Sequence, residues 1–345
     1  MKKELIKDYK LSERPFVTCV VITRNRFPQL ANCVSSLLKS NYASASFEVI
    51  VVDNGSDEET LRLSRETLGA VTLIETGRNL LTSAAANVGM NNGKGDYFFV
   101  LADDNIVAPD TISVLVNEAQ KIGPCILGPK TYFKGSEHRI FSVGTKISLW
   151  SGIHKSRGAS EIDVGQFQEN WSPDSVHNAL FMDKVAVQVT GGFDVKNFPM
   201  HNEEADLCLR ARMSGISVKV IVDAIVWHGE YEQPYIFRFG TNDFCIESPL
   251  RAYLTGRNRV ALIRRHGNRC ERLLFYLVAL LPSIMFYCLM IGYRRETRSN
   301  LRPFLRGSLD GIRNDVEEFS TAKAEFREIG SLETQDNVWN WIYDG

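Results

Sequence analysis

The stretch EVIVVDNGSDEET, residues 48–60, decides the fold that we predict for this chain. Its first part, EVIVVD (48–53), is a short apolar run, which is typical of a strand buried on both faces. In the polar turn that follows, Ser56 stands three residues before Glu59, a spacing that predicts a capping box and a helix to about Leu68. A strand that leads directly into a helix indicates one half of a βαβ unit.

The same alternation of apolar runs and helical patterns continues on both sides of this stretch. Further strands are predicted at FVTCVVIT (16–23), VTLIET (71–76), DYFFVL (96–101) and VKVIVDAIVW (218–227). Helices are predicted after the first strand, from Asp110 as cap to Gly123, and from about Glu203 to Ser214. This pattern predicts an α/β fold with a doubly wound, mainly parallel sheet. Residues 130–180 lose the pattern and are expected to form an active-site loop region.

Length, charge and cysteine content limit the class of protein. The chain has 345 residues, and 40 basic against 41 acidic side chains give a net charge of -1, so a dedicated nucleic-acid binder is disfavoured. Seven scattered cysteines without a C-x-x-C pair predict a reduced, cytosol-facing protein. The N-terminus has no apolar h-region before Phe16, so no secretory signal is expected.

Two common nucleotide-binding motifs are missing. The first strand ends in Thr23-Arg24-Asn25-Arg26 without a G-x-G-x-x-G sequence, which argues against a dinucleotide enzyme. The sequence GMNNGKG (89–95) resembles a P-loop, but its glycine spacing is too short and Gly95 stands where Ser or Thr should be.

Carboxylates instead follow two of the predicted strands. Asp53 ends EVIVV, and Asp103-Asp104-Asn105 comes just after DYFFVL. Ligands of open α/β sheets bind at this carboxyl edge, although a single Asp there is equally explained as a turn residue. Two adjacent aspartates repel each other, and a divalent cation that also binds a diphosphate would relieve the repulsion.

One long apolar run stands near the C-terminal end of the chain. Residues 273–293, LLFYLVALLPSIMFYCLMIGY, are 21 positions without a charge, which is the length of a bilayer span. Arginines flank the run on both sides, so the positive-inside rule gives no orientation. We expect a membrane contact, either as a single span or as an interfacial or re-entrant helix kinked at Pro282. The alternative is a buried core helix.

The ordered motifs resemble the family 2 glycosyltransferases of the GT-A fold, in particular rhamnosyltransferase-like members. The resemblance covers roughly residues 16–265. It rests on TCVVITRNR, EVIVVDNGSDEET, the stretch 77–89, GDYFFVLADDNIVAPD, GGFDVKNFPMHNEEADLCLRAR, Trp227-His228 and Gly256-Arg257-Asn258.

The resemblance implies roles for the acidic strand ends. Asp53 would hydrogen-bond the nucleobase, Asp103 would lie near the ribose, and Asp104 would bind Mn²⁺ or Mg²⁺ with His228 as second ligand. The alternative for His228 is a strand-end histidine paired with Glu230 or Glu232. Further donor-binding residues implied by the resemblance are Thr23, Asn25, Arg26, Arg78 and Asn79, and Arg257 is another candidate for the diphosphate.

Three positions depart from the family pattern. Ala102 stands where the first Asp of the D-x-D signature is usual, and Leu81 stands where a glycine is usual. Glu204 stands where an Asp is usual, at the position that the resemblance gives to the general base, which would deprotonate the acceptor hydroxyl and give inversion. The longer side chain of Glu leaves Glu203 as a rival base. Acidic residues in a first helical turn are also explained by the helix dipole alone.

The expected protein is a metal-dependent, inverting glycosyltransferase. It would move one sugar from a nucleotide-diphosphate sugar to a hydroxyl of a lipid-linked glycan or other saccharide acceptor at the cytoplasmic face of the membrane. We expect an extension (1–15), a glycosyltransferase domain (16–265, with a donor half 16–129 and an acceptor half 130–265) and a membrane-associating region (266–345). The alternatives are an inactive nucleotide-sugar- or glycan-binding protein and, less in keeping with the motifs, a nucleotidyltransferase. Q-x-x-R-W, usual in processive synthases, is absent.

Overall fold

The computed structural model describes residues 15–69, 71–136, 138–230, 237–239, 242–244, 246–293 and 295–313. These residues form two compact units. The first lies within residues 1–146, 156–194 and 207–231, and the second lies within 147–155, 195–206 and 232–345.

A nine-stranded sheet forms the centre of the first unit. Its strands are β1 (Val17–Thr23), β2 (Phe47–Asp53), β3 (Thr72–Glu75), β4 (Tyr97–Ala102), β5 (Asn105–Val107), β6 (Cys125–Lys134), β7 (Ile140–Ser142), β10 (Ala179–Asp183) and β11 (Ser217–Glu230). The order is β3-β2-β1-β4-β10-β6-β11-β5, and β7 pairs with β6. Strands β3, β2, β1 and β4 are parallel, as are β6 and β11, whereas β10 is antiparallel to both of its neighbours. The predicted doubly wound, mainly parallel sheet is confirmed.

Helices cover both faces of this sheet. They are α1 (Phe27–Leu38), α2 (Glu58–Thr67), α3 (Thr82–Asn92), α4 (Thr111–Ile122), α5 (Lys184–Thr190) and α6 (Glu203–Met213), the last beginning in the second unit. Alternate residues of β1 enter opposite layers: Val21 packs in one core cluster with residues of α1 and α4, and Val20 packs in the other with residues of α3 and α5. Burial on both sides explains why the strands are apolar without alternation.

Two predicted helix caps need correction. Asp57, and not Ser56, caps α2, because its side chain accepts from the backbone amide of Thr60 at 2.9 Å. Ser56 instead accepts from the amide of Asn25 at 2.9 Å. Asp110 precedes α4 as predicted, but its carboxylate accepts from the Asn41 side chain at 2.6 Å and does not cap the helix.

The small residues of α3 allow this helix to lie very close to β1. A Cβ atom on Gly89 would stand 2.2 Å from Cγ1 of Val20, which is far inside van der Waals contact. The glycine in the P-loop-like sequence therefore serves helix–sheet packing.

The irregular region 130–180 contains β6, β7, β10 and a hairpin. The hairpin consists of β8 (Thr145–Ser148) and β9 (Ile153–Ser156), which form a separate two-stranded sheet. The segment therefore combines short strands with irregular stretches, the longest of which is 157–178, and strands this short give no readable periodicity.

The second unit is mainly helical. It contains the strands β12 (Phe237–Phe239) and β13 (Asn242–Phe244), and the helices α7 (Pro249–His266), α8 (Arg269–Leu274), α9 (Leu280–Tyr293) and α10 (Leu301–Arg313). A π-helical segment, Phe275–Ala279, joins α8 to α9 just before Pro282, and a 3₁₀ segment, Arg295–Asn300, precedes α10. Pro282 has no amide hydrogen for the helical bond, which accounts for irregular winding at this point.

The continuous helix Arg269–Tyr293 is long and apolar enough to cross a membrane by length and composition. Its most apolar window has a mean hydropathy of 2.3, and only 11% of that window is buried. Phe275 and Ile291 are buried, whereas Leu277 and Leu289 are more than 70% exposed. The alternative of a buried core helix is therefore not what the structure shows.

Candidate active site

The carboxyl ends of three neighbouring strands bring the predicted donor-binding residues together. Thr23 ends β1 directly opposite Asp53, which ends β2, and Asp103 follows β4 on the other side of β1. Thr23 donates its hydroxyl proton to Oδ2 of Asp103 at 2.7 Å, and both side chains are buried. A polar cluster thus lies at the edge of the sheet where ligands of open α/β folds bind.

The two oxygens of Asp53 have different surroundings. Oδ1 accepts from the backbone amides of Gly55 and Ser56 at 3.1 and 2.8 Å, so it stabilises the turn after β2. Oδ2 is buried and has no hydrogen-bond partner among the residues that the structure describes. Because a buried acceptor without a partner is costly, Oδ2 is a natural position for a ligand donor. The turn role and the proposed ligand role are compatible.

Arg26 bridges the two aspartates after β4. Its guanidinium lies 2.6 Å from Oδ1 of Asp103 and 3.4 Å from Oδ2 of Asp104, and the Arg26 side chain is 47% exposed. Burial raises the pKa of Asp103 even though Arg26 and Thr23 favour its ionised form. Burial also acts to raise the pKa of Asp104, but His228 and Arg26 outweigh it and hold that pKa below its usual range.

His228 reaches Asp104 through the pairing of β5 with β11. This antiparallel register places His228 opposite Asn105, the residue that follows Asp104. Nδ1 of His228 lies 3.0 Å from Oδ1 of Asp104. Both atoms are buried, and neither has a hydrogen-bond partner of acceptable geometry within the described part of the chain. The ring of Phe141 packs edge-on against the imidazole at a centroid distance of 4.9 Å.

This pair fits a divalent cation. Two neighbouring ligands of an octahedral ion, each about 2.1 Å from the metal, lie about 3 Å apart. A carboxylate oxygen and a neutral imidazole nitrogen are both suitable donors, and the remaining positions suit diphosphate oxygens and water. Among the described residues there is no group of three or more His, Cys, Asp or Glu arranged to hold a metal. The described residues therefore offer two possible ligands at this point, Asp104 and His228.

Asn25 and Asn79 hold the loops around this edge. The side-chain oxygen of Asn25 accepts from the amide of Asp57 at 2.8 Å. The side-chain oxygen of Asn79 accepts from the amide of Leu81 and from the side chain of Asn54, at 2.9 and 3.1 Å. These contacts support the loops in which Arg26 and the half-buried Arg78 lie.

Leu81 adopts the backbone conformation that glycine favours. Its φ is 67° and its ψ is 173°, a region populated almost only by glycine, and its side chain is 6% exposed. The backbone path at this position is therefore kept although the usual glycine is missing.

The second unit contains the predicted base. Glu203 is buried and begins α6, whereas Glu204 is half-buried. Burial and the neighbouring Glu204 raise the pKa of Glu203. The two residues just before α6, His201 and Asn202, both have a φ near 65°, so the chain enters the helix through a sharp turn.

Residues of α7 hold this turn in place. The sequence motifs did not predict these contacts. Asn258 donates from its side-chain amide to the carbonyls of Met200 and His201, both at 2.8 Å. Arg257 is buried and donates to the carbonyl of Asn197 at 2.7 Å, a contact that holds the backbone before the turn in place. The motif Gly256-Arg257-Asn258 marked these residues as candidates, but it did not indicate which carbonyl groups they bind.

Asn105 is a further residue that sequence reasoning missed. Its side-chain amide donates to the carbonyl of Ala102 at 3.0 Å, and its Oδ1 is buried with no partner in the portion of the chain described. It therefore closes the acidic turn and leaves one more buried acceptor beside Asp104. The position of Asn105 directly after Asp103 and Asp104, in ADDN (102–105), was the sequence signal that could have identified it.

Comparisons with known proteins agree with this architecture. Residues 18–189 match the family model "Glycosyl transferase family 2". Chondroitin synthase of Escherichia coli is 27% identical over 122 residues, which make up 35% of this chain and 18% of that protein. The chain spans less than a quarter of the length of the curated relatives it matches.

Solved structures show the same fold at low sequence identity. The fragment 1–349 of S. aureus TarS has a TM-score of 0.54 at 13% identity, over 92% of this chain and 93% of that chain. The mannosyltransferase PcManGT from Pyrobaculum calidifontis, in complex with GDP-Man and Mn²⁺, has a TM-score of 0.53 at 14% identity, over 91% and 93%. Residues 18–189 of this chain therefore form a glycosyl transferase family 2 domain, and the nine-stranded sheet with its flanking helices has the GT-A fold.

Proposed function

We propose that this protein transfers a single sugar, with inversion, from a nucleoside-diphosphate sugar to a hydroxyl of a membrane-associated acceptor. The observation that carries the proposal is the buried pair of possible metal ligands, Oδ1 of Asp104 and Nδ1 of His228, 3.0 Å apart, together with the buried Oδ2 of Asp53, which accepts no hydrogen bond from the described residues. The structure of TarS with UDP-GlcNAc and that of PcManGT with GDP-Man and Mn²⁺ support a donor of this class.

In the proposed donor complex, Oδ2 of Asp53 accepts a hydrogen bond from the nucleobase. Asp103, held by Thr23, lies where a ribose hydroxyl would bind. Arg26 now lies against both acidic side chains after β4. The Arg26 side chain is 47% exposed and has room to turn. If a cation bound Asp104 and neutralised its carboxylate, Arg26 could pair with the diphosphate instead. Asn25, Arg78 and Asn79 are proposed to complete the donor pocket.

Asp104 and His228 are proposed to hold Mn²⁺ or Mg²⁺. When bound, the cation would offset the negative charge that develops on the leaving nucleoside diphosphate. The protein's own part is to keep the imidazole and the carboxylate in place, which β5–β11 pairing and Phe141 do.

Glu204 is proposed as the base that removes the proton of the acceptor hydroxyl as its oxygen attacks the anomeric carbon. It is more accessible than Glu203, which favours contact with an acceptor. The raised pKa of Glu203 suits proton transfer near neutral pH, so Glu203 remains the rival.

The exposed apolar helix Arg269–Tyr293 is proposed to keep the protein at the cytoplasmic face of the membrane, where a lipid-linked glycan acceptor would be confined. We keep the proposed division into an extension (1–15), a donor half (16–129), an acceptor half (130–265) and a membrane-associating region (266–345). Rhamnose as the transferred sugar also remains a prediction.

A donor screen followed by a turnover assay tests the proposal. Nucleoside diphosphates and nucleotide sugars, with UDP-, GDP- and dTDP-linked donors included, are ranked by thermal shift with Mn²⁺, because a bound ligand raises the melting temperature. Release of nucleoside diphosphate from the best donor is then measured for the wild type, for Asp104→Ala and for Glu204→Gln. We expect Asp104→Ala to lose turnover, and Glu204→Gln to bind donor but not transfer.

The missing first aspartate, replaced by Ala102, favours one competing function, an inactive nucleotide-sugar-binding protein. Such a protein would show the thermal shift but would release no nucleoside diphosphate with any acceptor tested. Transfer by Glu204→Gln at the wild-type rate, together with its loss in Glu203→Gln, would instead move the base to Glu203.

A further inference from the structure

The tip of the β8–β9 hairpin presents two large apolar side chains. Trp150 is 48% exposed and Ile153 is 57% exposed. Between them lie Ser151 and Gly152, whose φ of 67° makes the tight turn possible. Two exposed apolar side chains within four residues indicate a contact surface where further exposed apolar side chains continue the patch.

The underside of the tip is packed against the second unit's own helices. A Cβ atom on Gly152 would stand 2.9 Å from Cδ1 of Ile263 and 3.3 Å from the ring of Phe275. Arg259 donates from its guanidinium to the carbonyl of Ser151 at 3.1 Å. The tip is thus held in place from below, and its exposed side chains are presented by a fixed support.

Phe275 belongs to the apolar helix Arg269–Tyr293, so the tip lies beside that helix. Leu274 precedes Phe275 in the helix, and Leu277 and Val278 follow it; they are 46%, 75% and 54% exposed. Leu274 and Val278 stand four residues apart and share the side of the helix next to Phe275, whereas Leu277 points away from it. Together with Trp150 and Ile153, Leu274 and Val278 expose apolar side chains around the contact between the tip and the helix, and we name these four residues the tip surface.

We propose that the tip surface enters a phospholipid bilayer, with Trp150 at the boundary between headgroups and acyl chains. The inference rests on the proposed membrane location and assigns a second membrane-contacting element to it. Three observations favour a bilayer as the occupant: the length and exposure of the adjoining helix, the exposed Trp150 on the hairpin that contacts this helix at Phe275, and the exposed Arg269 at the start of the helix, suited to lipid phosphates.

Quenching of tryptophan fluorescence by brominated lipid tests the proposal. The full chain is reconstituted in phosphatidylcholine and phosphatidylglycerol vesicles, with bromine atoms high on the acyl chains. The chain has five tryptophans, so quenching in Trp150→Phe is subtracted from quenching in the wild type. We expect Trp150→Phe to remove a quenched component. Trp171→Phe is the control, because the Trp171 indole donates to the carbonyl of Val143 within the first unit.

The outcomes separate the two proposals. If the wild-type chain floated with the vesicles but was quenched no more than Trp150→Phe, the proposed tip surface would be overturned. The proposed anchoring by the helix Arg269–Tyr293 would be unaffected. Failure of the chain to associate with vesicles would overturn the membrane location itself. If Trp150→Ser changed the mass of the protein in detergent while Trp150 stayed unquenched, a second copy of the chain would be the occupant, and the proposal would again fail.

Discussion

His266 places its Nε2 atom 2.8 Å from Oδ1 of Asp206, and both side chains are almost fully buried. Asp206 lies in the first turn of α6, the helix that begins with Glu203 and Glu204. The pair therefore fastens the end of α7 to the helix of the proposed base, 60 residues away in sequence.

Replacing His266 with alanine should destabilise the second unit. Asp206 would lose a buried hydrogen-bond partner, which typically costs about 1–3 kcal/mol. We expect the free energy of unfolding in urea to fall by about that amount. His266→Gln keeps a donor near the same position and should restore a good part of the loss. Equal stability of the alanine variant and the wild type would show that the pair contributes nothing.

Two helical glycines provide a matched test of close helix packing. A Cβ atom on Gly307 of α10 would stand 2.0 Å from the backbone carbonyl oxygen of Tyr253 in α7, whereas a Cβ atom on Gly292 of α9 would meet nothing within 4 Å. Gly307→Ala should force the helices apart and destabilise the protein by about 1–3 kcal/mol or more.

Gly292→Ala is the control for this change. It should be neutral or stabilising by about 0.5–1 kcal/mol, because alanine loses less backbone entropy in a helix. Chemical denaturation of both variants, in the same detergent or lipid, measures the difference. Similar effects of the two substitutions would contradict the close packing of α7 and α10.

The sheet could be predicted from sequence because burial on both faces leaves a direct mark. Runs such as 49–52 and 97–101 are apolar throughout, and each lies within a strand of the structure. The antiparallel insertion of β10 between β4 and β6 could not be predicted, because its register depends on contacts with strands about 50 to 80 residues away. One cap was misplaced by one residue, and Asp110 precedes its helix without capping it, because the side chains of Ser56 and Asp110 bind residues distant in sequence.

Glu203 gives the protein a pH dependence of known sign. Burial and Glu204 raise its folded-state pKa above the unfolded value of about 4.3. Between these two pKa values the folded state binds more protons than the unfolded state, so stability falls as the pH rises through that interval. Glu203→Gln removes this term. Its stability relative to the wild type should therefore increase from acidic toward alkaline pH and then level off.

Denaturation at a series of pH values measures this effect. Glu204→Gln serves as a partial control: it removes the repulsion on Glu203 but leaves the carboxyl buried, so its stability should show a weaker pH-dependent gain. A stability difference between Glu203→Gln and the wild type that did not change with pH would show that Glu203 is ionised normally in the folded protein.

The candidate site was predictable in its acidic half and not in its geometry. Asp53, Asp103 and Asp104 stand at strand ends, where the sheet rule places ligands. What brings His228 to Asp104 is the pairing of β5 with β11, more than 100 residues apart, which no local pattern encodes. The same is true of Asn258, whose role depends on two carbonyl groups 57 and 58 residues earlier.

Removing the imidazole of His228 should weaken Mn²⁺ binding. The 3.0 Å separation of its Nδ1 from Oδ1 of Asp104 matches neighbouring ligands of one ion, so His228→Ala should raise the Mn²⁺ dissociation constant by more than about tenfold. Free Mn²⁺ is measured by electron paramagnetic resonance with saturating nucleoside diphosphate. His138→Ala is the matched control, because His138 instead packs edge-on against Tyr132. If His228→Ala bound Mn²⁺ as tightly as the control, the paired atoms would not be metal ligands, and the 3.0 Å approach would be only a local ion pair.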